Sequence, residues 1–305
     1  MKPWRVGVGG MQRNVDVVAP LLERDTPFII IRQPSLRGRV SSRILIRRLW
    51  QYAGEIDLYY GISYGQWPRY LFTRLRGGKT VCHWAGTDVL RVLRRPLQRL
   101  WFQAVIRHCI DRHLVVSENL GEELATLGVE TRLVPLVSDL LGELVSLPER
   151  FTVLAYLPSH RGVFYGAPAV YEVASRNPQW RFLIVGREPT SQGKCLSNLT
   201  ELGHWIDLSK VYPQVNVLVR PTVHDGLPRM VLEALSWGRY VIFSRSFPYT
   251  ETGQTVEEIE VALQKVANRR NPNREAARYV QENYTEERMV DALEEVFADL
   301  LGQPR

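Results

Sequence analysis

Within the run Met230-Val231-Leu232-Glu233-Ala234-Leu235 one carboxylate stands in a segment that is apolar on nearly every side. A charge buried there costs several kcal/mol unless hydrogen bonds replace the lost water. Two neighbouring hydroxyls of a small molecule, one to each carboxylate oxygen, would meet that need. An ion pair with Arg229, four residues earlier, is the alternative, in the weaker orientation for a helix. Asp225 precedes Glu233 with seven residues between them and is followed at once by Gly226. The apolar run Val215–Val219 reads as a strand that delivers the chain to the polar turn Thr222–Gly226, and a helix Pro228–Trp237 follows. Pro228 suits a first helical turn, where its missing N–H goes unused, and Gly238 suits a helix end. A strand, a glycine turn and a helix in that order aim free N–H groups and a positive dipole end at the strand's carboxyl edge, which makes an anion site.

The elements that must position these residues are legible as alternating apolar runs and amphipathic stretches. Strands are expected at Val6–Gly9, Phe28–Arg32, Ile56–Tyr60, Thr80–His83, His113–Val116 and Thr131–Pro135. Helices fall between them at Val15–Glu23, Ser41–Gln51, Pro68–Leu75, Pro96–His108 and Ser117–Leu127. The pattern then restarts after Ser138–Arg150, which reads as a linker. Strands Thr152–Leu157, Arg181–Val185, Val215–Val219 and Tyr240–Phe243 alternate with helices Pro168–Arg176 and Pro228–Trp237. The tail, Val256–Asn268 and Arg274–Leu301, is helical. Alternation at this spacing predicts an α/β class with parallel sheets. A length of 305 residues suits two such domains, and 45% hydrophobic residues suffice for two cores.

The acid–seven–acid spacing, with Gly226 after the first acid and Glu233-Ala234 followed by Gly238 and a strand, resembles the E-x7-E signature of glycosyltransferase family 4 and its relatives, in the variant that begins with aspartate. The resemblance implies the GT-B architecture, two doubly wound Rossmann-like domains facing across a cleft. It implies residues 1–140 as the acceptor-side domain, 141–284 as the nucleotide-sugar-binding domain, and 285–305 as a C-terminal helix that packs back on the first. It implies Glu233 on the donor's ribose, Asp225 on the transferred sugar, and Gly226, Leu227 and Pro228 as the turn that meets sugar and phosphate. Other stretches resemble further parts of the family. Leu157-Pro158-Ser159-His160-Arg161-Gly162 stands where the family carries a cation for the diphosphate, with Arg161 and Ser159 as candidates; a guanidinium holds two phosphate oxygens at once. The family's following lysine is absent, which leaves the leaving group to Arg161 with the Gly226 turn, or to another arginine such as Arg187 or Arg229. Val185-Gly186-Arg187 resembles the strand ending near the donor's base and phosphates. Gly7-Val8-Gly9-Gly10 resembles the glycine loop on the donor's far side. His83-Trp84-Ala85-Gly86-Thr87-Asp88 resembles the acceptor-side loop, where His83 would relay a proton. His224, next to Asp225, is a further lining candidate, whereas His108 and His113 read as structural.

The function implied is a metal-independent, retaining glycosyltransferase. It would move a sugar from a nucleotide diphosphate donor to a hydroxyl of a glycan, lipid-linked or small-molecule acceptor, with catalysis by Asp225, Arg161 and His83. A nucleotide-sugar epimerase on the same fold and a silent membrane- or polyanion-binding scaffold are the rival readings. No cofactor beyond the donor is expected. No Asp-x-Asp pair or His/Cys/Asp ligand cluster points to a metal. The G-x-G-x-x-G dinucleotide pattern fails at Gln12, and no acid closes the second strand, which sets aside nicotinamide and flavin. Cys82, Cys109 and Cys195 lack metal or redox spacing and suit a reducing compartment, so the expected location is cytoplasmic or peripheral at the inner membrane face. Residues 1–140 hold 21 Lys and Arg against 12 Asp and Glu, so the basic surplus lies in the first half. Such a field suits an acidic partner, though a GC-rich or thermophilic genome also enriches arginine. Arg37–Trp50 reads as a cationic amphipathic helix, with Arg43 and Arg47 on one side. It would either meet an anionic membrane or cover the sheet with its arginines solvated. Nucleic acid is not an expected partner.

Overall fold

The computed structural model describes residues 3–32, 42–137, 141–188, 196–204 and 206–302. The chain divides into two compact units, 1–137 with 285–305 and 138–284. In the first, strands β1 (Arg5–Gly10), β2 (Ile29–Arg32), β3 (Leu58–Ile62), β4 (Lys79–Trp84), β5 (Arg112–Val115) and β6 (Arg132–Leu133) alternate with helices α1 (Gln12–Asp25), α2 (Ser42–Glu55), α3 (Trp67–Leu75), α4 (Thr87–Arg94), α5 (Pro96–Ala104) and α6 (Glu118–Ala125). The sheet is all parallel, in the order β2-β1-β3-β4-β5-β6. Its central strands are covered on both faces, so β3 is buried along its whole length.

The second unit repeats the plan with β7 (Thr152–Tyr156), α7 (Ala167–Arg176), β8 (Arg181–Val185), β9 (Leu199–Glu201), β10 (Val217–Arg220), α8 (Arg229–Ser236), β11 (Tyr240–Phe243), β12 (Glu251–Thr252), α9 (Val256–Ala267) and α10 (Arg274–Asn283). Its parallel sheet runs β12-β11-β10-β7-β8-β9. Val153, Ala155, Ile184 and Ile242 pack against Val170 and Val173 of α7 and Leu263 of α9 on one face. The stretch expected as a linker is, from Gly142 on, fastened to this unit. Gly142 N donates to Ser236 Oγ at 2.9 Å, Asn216 Nδ2 to Pro148 O at 3.2 Å, and the buried Arg239 to the carbonyls of Val145, Ser146 and Val215. Residues 138–140 lie outside the described residues, as do Cys195 and the 37–41 part of the basic helix.

The last helix, α11 (Glu286–Leu301), belongs to the first unit, where Phe297 meets Phe28 and Tyr60. The stretch expected to be helical over Arg274–Leu301 holds two helices, α10 and α11, the second within the 285–305 span expected for a C-terminal helix. They part at Thr285, whose hydroxyl accepts from Arg288 N at 3.2 Å and caps α11. On α2 the arginines Arg43, Arg47 and Arg48 are exposed while Leu49, Tyr52 and Ala53 are buried.

Candidate functional site

In an open α/β sheet, ligands bind beyond the carboxyl ends of the strands where the winding direction reverses. In the second unit that point lies between β7 and β10. β7 ends in Tyr156 and β10 ends in Arg220, and the loops that follow these two strands carry most of the residues singled out from sequence.

Arg220 is 8% exposed and lies between two rings, its guanidinium carbon 5.7 Å from the centroid of Tyr156 and 5.3 Å from that of Tyr165. Its Nε and Nη2 both donate to Asp225 Oδ2, at 3.0 and 2.6 Å. Burial works against the guanidinium charge, and Asp225 more than offsets it, so the Arg220 pKa is raised. Asp225 Oδ1 accepts the N–H of Gly226 at 3.1 Å, which closes the turn before α8. Pro228 stands as the N-cap of α8, one position before the helix, and its carbonyl accepts from Val231 N at 2.9 Å.

Arg161 sits beside this pair. Its guanidinium covers Phe164 at 4.3 Å and reaches within 5.7 Å of Tyr165, so Arg161 and Arg220 share one aromatic neighbour. Gly166 makes the approach possible. With φ of 77°, it lies where a Cβ would stand 2.6 Å from Pro221 O. The Val223 N–H then donates to Phe164 O at 2.9 Å and ties the two loops together. Gly186, φ 87°, ends β8 against the ring of Tyr156, where a Cβ would come within 2.6 Å of that ring. Arg187 donates to Tyr171 Oη at 3.0 Å and lies 3.9 Å from Glu201, and its other end comes close to Gly162. Ser159 is exposed next to Arg161, and His224 is buried beside Asp225. The structure thus gathers Ser159, Arg161, Gly186, Arg187, Asp225 and the Gly226–Pro228 turn at one sheet edge.

Glu233 lies one turn deeper. It is 1% exposed, and its Oε2 accepts from the hydroxyl of the buried Tyr212 at 2.6 Å. The chain itself therefore supplies a hydroxyl that the sequence reading had assigned to a ligand. A ligand hydroxyl at that oxygen would share it with the phenol, since a carboxylate oxygen accepts more than one hydrogen bond.

Three of the residues quoted from sequence, His83, Asp88 and Gly10, belong to the first unit. His83 is completely buried. Its Nδ1 accepts from Tyr60 Oη at 2.7 Å, while its Nε2 donates to Val134 O at 2.8 Å, the tautomer in which both partners are satisfied. Burial holds the imidazole neutral down to about 4. A ring with no free nitrogen and no exposed atom is a structural strut, which corrects the expectation of a proton relay. Asp88 is likewise inward: Oδ1 accepts from the N–H groups of Ala85, Gly86 and Val89, and Oδ2 from that of Tyr64. Gly10, φ 141°, ends β1 at the first sheet's own reversal point, where a Cβ would stand 2.3 Å from Ile62 O.

Sequence reasoning missed Arg220, Tyr156 and Tyr165. The signal for Arg220 was a cation closing the apolar strand Val217-Leu218-Val219, five residues before Asp225.

Residues 149–269 match the family described as Glycosyl transferases group 1. A comparison with curated proteins finds no match. Among solved structures the chain is similar to the sucrose-phosphate synthase of Thermosynechococcus elongatus, with a TM-score of 0.75 at 16% identity over 99% of this chain and 100% of that one. It is similar to Anabaena HepE in complex with UDP-glucose, with a TM-score of 0.74 at 12% identity over 97% and 100%. A glycosyltransferase from Rickettsia africae gives 0.69 at 11% identity over 100% of both chains. At such identities these likenesses speak for the fold.

Proposed function

We infer that the protein, a chain of GT-B fold whose second unit carries the glycosyl transferases group 1 segment, is a glycosyltransferase that draws its sugar from a nucleotide diphosphate donor held by that unit. The observation that carries the reading is the Arg220–Asp225 pair, with Arg161 on the same tyrosine, at the reversal point of the second sheet. The UDP-glucose held by the similar Anabaena structure supports the choice of donor class.

In this reading Arg161 and Arg220 meet the diphosphate, and Arg187 lies within reach of the same loop. Arg220 takes the place of the lysine that the family carries and this chain lacks. Its strand, its two aromatic walls and Asp225 fix its direction before any ligand arrives, and such preorganisation is where electrostatic catalysis gains most. Asp225 has a second task. One oxygen is held by Arg220 and the other faces the Gly226 turn, so a hydroxyl of the transferred sugar can share it. Glu233 serves the ribose alongside its bond from Tyr212.

The reaction proposed is transfer with retention and without a metal ion. The bond between the anomeric carbon and the β-phosphate oxygen breaks, and its electron pair stays on that oxygen beside the arginines. The acceptor hydroxyl oxygen bonds to the anomeric carbon on the same face, and its proton passes to the departing phosphate. A glycan acceptor is supported by the Staphylococcus aureus TarM structure, which holds α-GlcNAc-glycerol and UDP.

Thermal-shift titration with UDP-, GDP-, ADP- and dTDP-sugars, followed by chromatography of the nucleotides released in water, tests the reading. One sugar nucleotide should raise the melting temperature and be slowly hydrolysed. Arg220→Ala should lower turnover by about 10²–10³-fold, while Arg220→Lys, which keeps the charge, restores part of it. Stabilisation by no member of the panel, with no nucleoside diphosphate released, refutes the proposal; an altered sugar still attached to its nucleotide replaces transfer by epimerisation.

A further inference from the structure

We propose that α5 of the first unit docks the protein on an anionic lipid bilayer. This rests on a surface remote in sequence from the donor residues and does not depend on the transferase reading. Leu97, Leu100 and Trp101 recur at helical spacing and therefore share one face of α5. A stripe of that kind ordinarily faces a core, yet here the three are 82%, 65% and 41% exposed. The buried residue of the helix is Phe102, on the other side, against Tyr64, Trp84 and His113. The helix thus turns a second apolar face outward, and Trp101 is braced there edge-on by Trp67 at 5.8 Å.

The rim of this patch selects the occupant. Arg94, Arg95 and Arg99, all exposed, lie at the α4–α5 junction and within α5 itself, where no acidic residue intervenes between Arg91 and His108. The region 1–140 as a whole carries the chain's basic surplus. A second copy of the chain would bring the same arginines face to face, which opposes self-association. An anionic bilayer satisfies both halves of the surface: leucines and tryptophan enter the headgroup boundary while guanidinium groups meet phosphate. No helix among the described residues is long and apolar enough to cross a membrane, so the contact proposed is peripheral.

Co-sedimentation of the full chain with vesicles of phosphatidylglycerol, set against vesicles of phosphatidylcholine, tests the docking. Binding to the former alone, weakened by salt, is expected. Replacing both Leu97 and Leu100 by aspartate, and separately all three arginines by glutamine, should each lower the partition coefficient about tenfold or more. These side chains are exposed, so the circular dichroism melting curve should stay in place. Bromine-labelled lipid should quench tryptophan emission of the native chain, and Trp101→Leu should lose most of that quenching. Equal binding to both lipids, binding untouched by the aspartates, quenching untouched by Trp101→Leu, or no binding at all overturns the proposal. So does a dimer in sedimentation equilibrium that Leu100→Asp dissolves, since the stripe is then covered by a second copy.

Discussion

A buried carboxylate must be satisfied, and at Glu233 the phenol of Tyr212 is one group that does so. Removing the phenol separates the two demands on this acid. Tyr212→Phe leaves Oε2 without that donor, and urea unfolding should show a loss of about 1–3 kcal/mol. If Glu233 also serves the donor's ribose, an oxygen relieved of the phenol accepts the ribose hydroxyl with less competition, and calorimetry should find the donor bound more tightly than by the native chain. Unchanged or weaker binding in a folded Tyr212→Phe protein assigns Glu233 to the core alone. His83 makes a different kind of prediction. The folded chain keeps it neutral to about 4, whereas an unfolded imidazole takes its proton near 6.5. Between those values the unfolded state binds more protons, so stability falls as pH is lowered through that window and levels off below it, by about 3 kcal/mol in all. His113, also held to about 4 by its burial, adds a contribution of the same sign. His83→Gln keeps a donor for Val134 and an acceptor for Tyr60 without titrating, so it should flatten the curve from pH 6.5 to 4. An unaltered slope would place the acid sensitivity elsewhere.

The loops that end β8 and α3 show when a glycine is required by its neighbours and when only by its backbone. Gly186 and Gly77 have similar positive φ, 87° and 81°, yet a Cβ at Gly186 would press into the ring of Tyr156, and at Gly77 it would meet open space. Gly77→Ala should cost about 1–2 kcal/mol, the strain of the conformation. Gly186→Ala should cost more and, by pushing Tyr156 off Arg220, also weaken donor binding; equal losses in the two variants, read by urea unfolding and calorimetry, would deny Tyr156 that role. The same local chemistry governs how far the elements could be read in advance. Helix α8 was legible almost to the residue because Pro228 and Gly238 punctuate it. Gly238 closes it with the N–H of Gly238 on Leu235 O and that of Arg239 on Ala234 O. Strands β9 and β12 were not, being edge strands of three and two residues with too little length for alternation to register. Helix α4, of eight residues, lies outside the helices expected, and its first turn is set by Asp88, which accepts from four main-chain N–H groups. The acid pair and Arg161 could be found by spacing and resemblance. The pairing of Arg220 with Asp225 could not, because it depends on where a strand stops and how the following loop folds back, which no local pattern encodes.

The order of the chain differs from the order of its masses. The path leaves the first unit after residue 137, builds the whole second unit, and returns with α11 at Thr285. That return is an integral part of the first unit's core. Met289, Val290, Leu293, Val296 and Phe297 are buried, and the ring of Phe297 lies 5.8 Å from Phe28 and 5.5 Å from Tyr60, the tyrosine that also holds His83. The outer side of α11 is tied by ion pairs from Arg24, Arg112 and Arg132 to Glu286, Asp299 and Glu295, exposed pairs that add little. Burial of the five apolar side chains is worth on the order of 8–15 kcal/mol, comparable to the net stability of a whole domain. A chain that stops at Tyr284 should therefore lose its first unit and keep its second. Amide hydrogen exchange read by mass spectrometry separates the two. Peptides from β1, β3 and β4 should exchange as in an unfolded chain, while peptides from β7, β10 and α8 keep native protection. The truncated chain should also still be stabilised by the sugar nucleotide that stabilises the full one, because every donor residue proposed lies in 138–284. Uniform loss of protection across both units would mean that the second cannot stand without the first, and uniform retention would mean that α11 is only an ornament on a core complete without it.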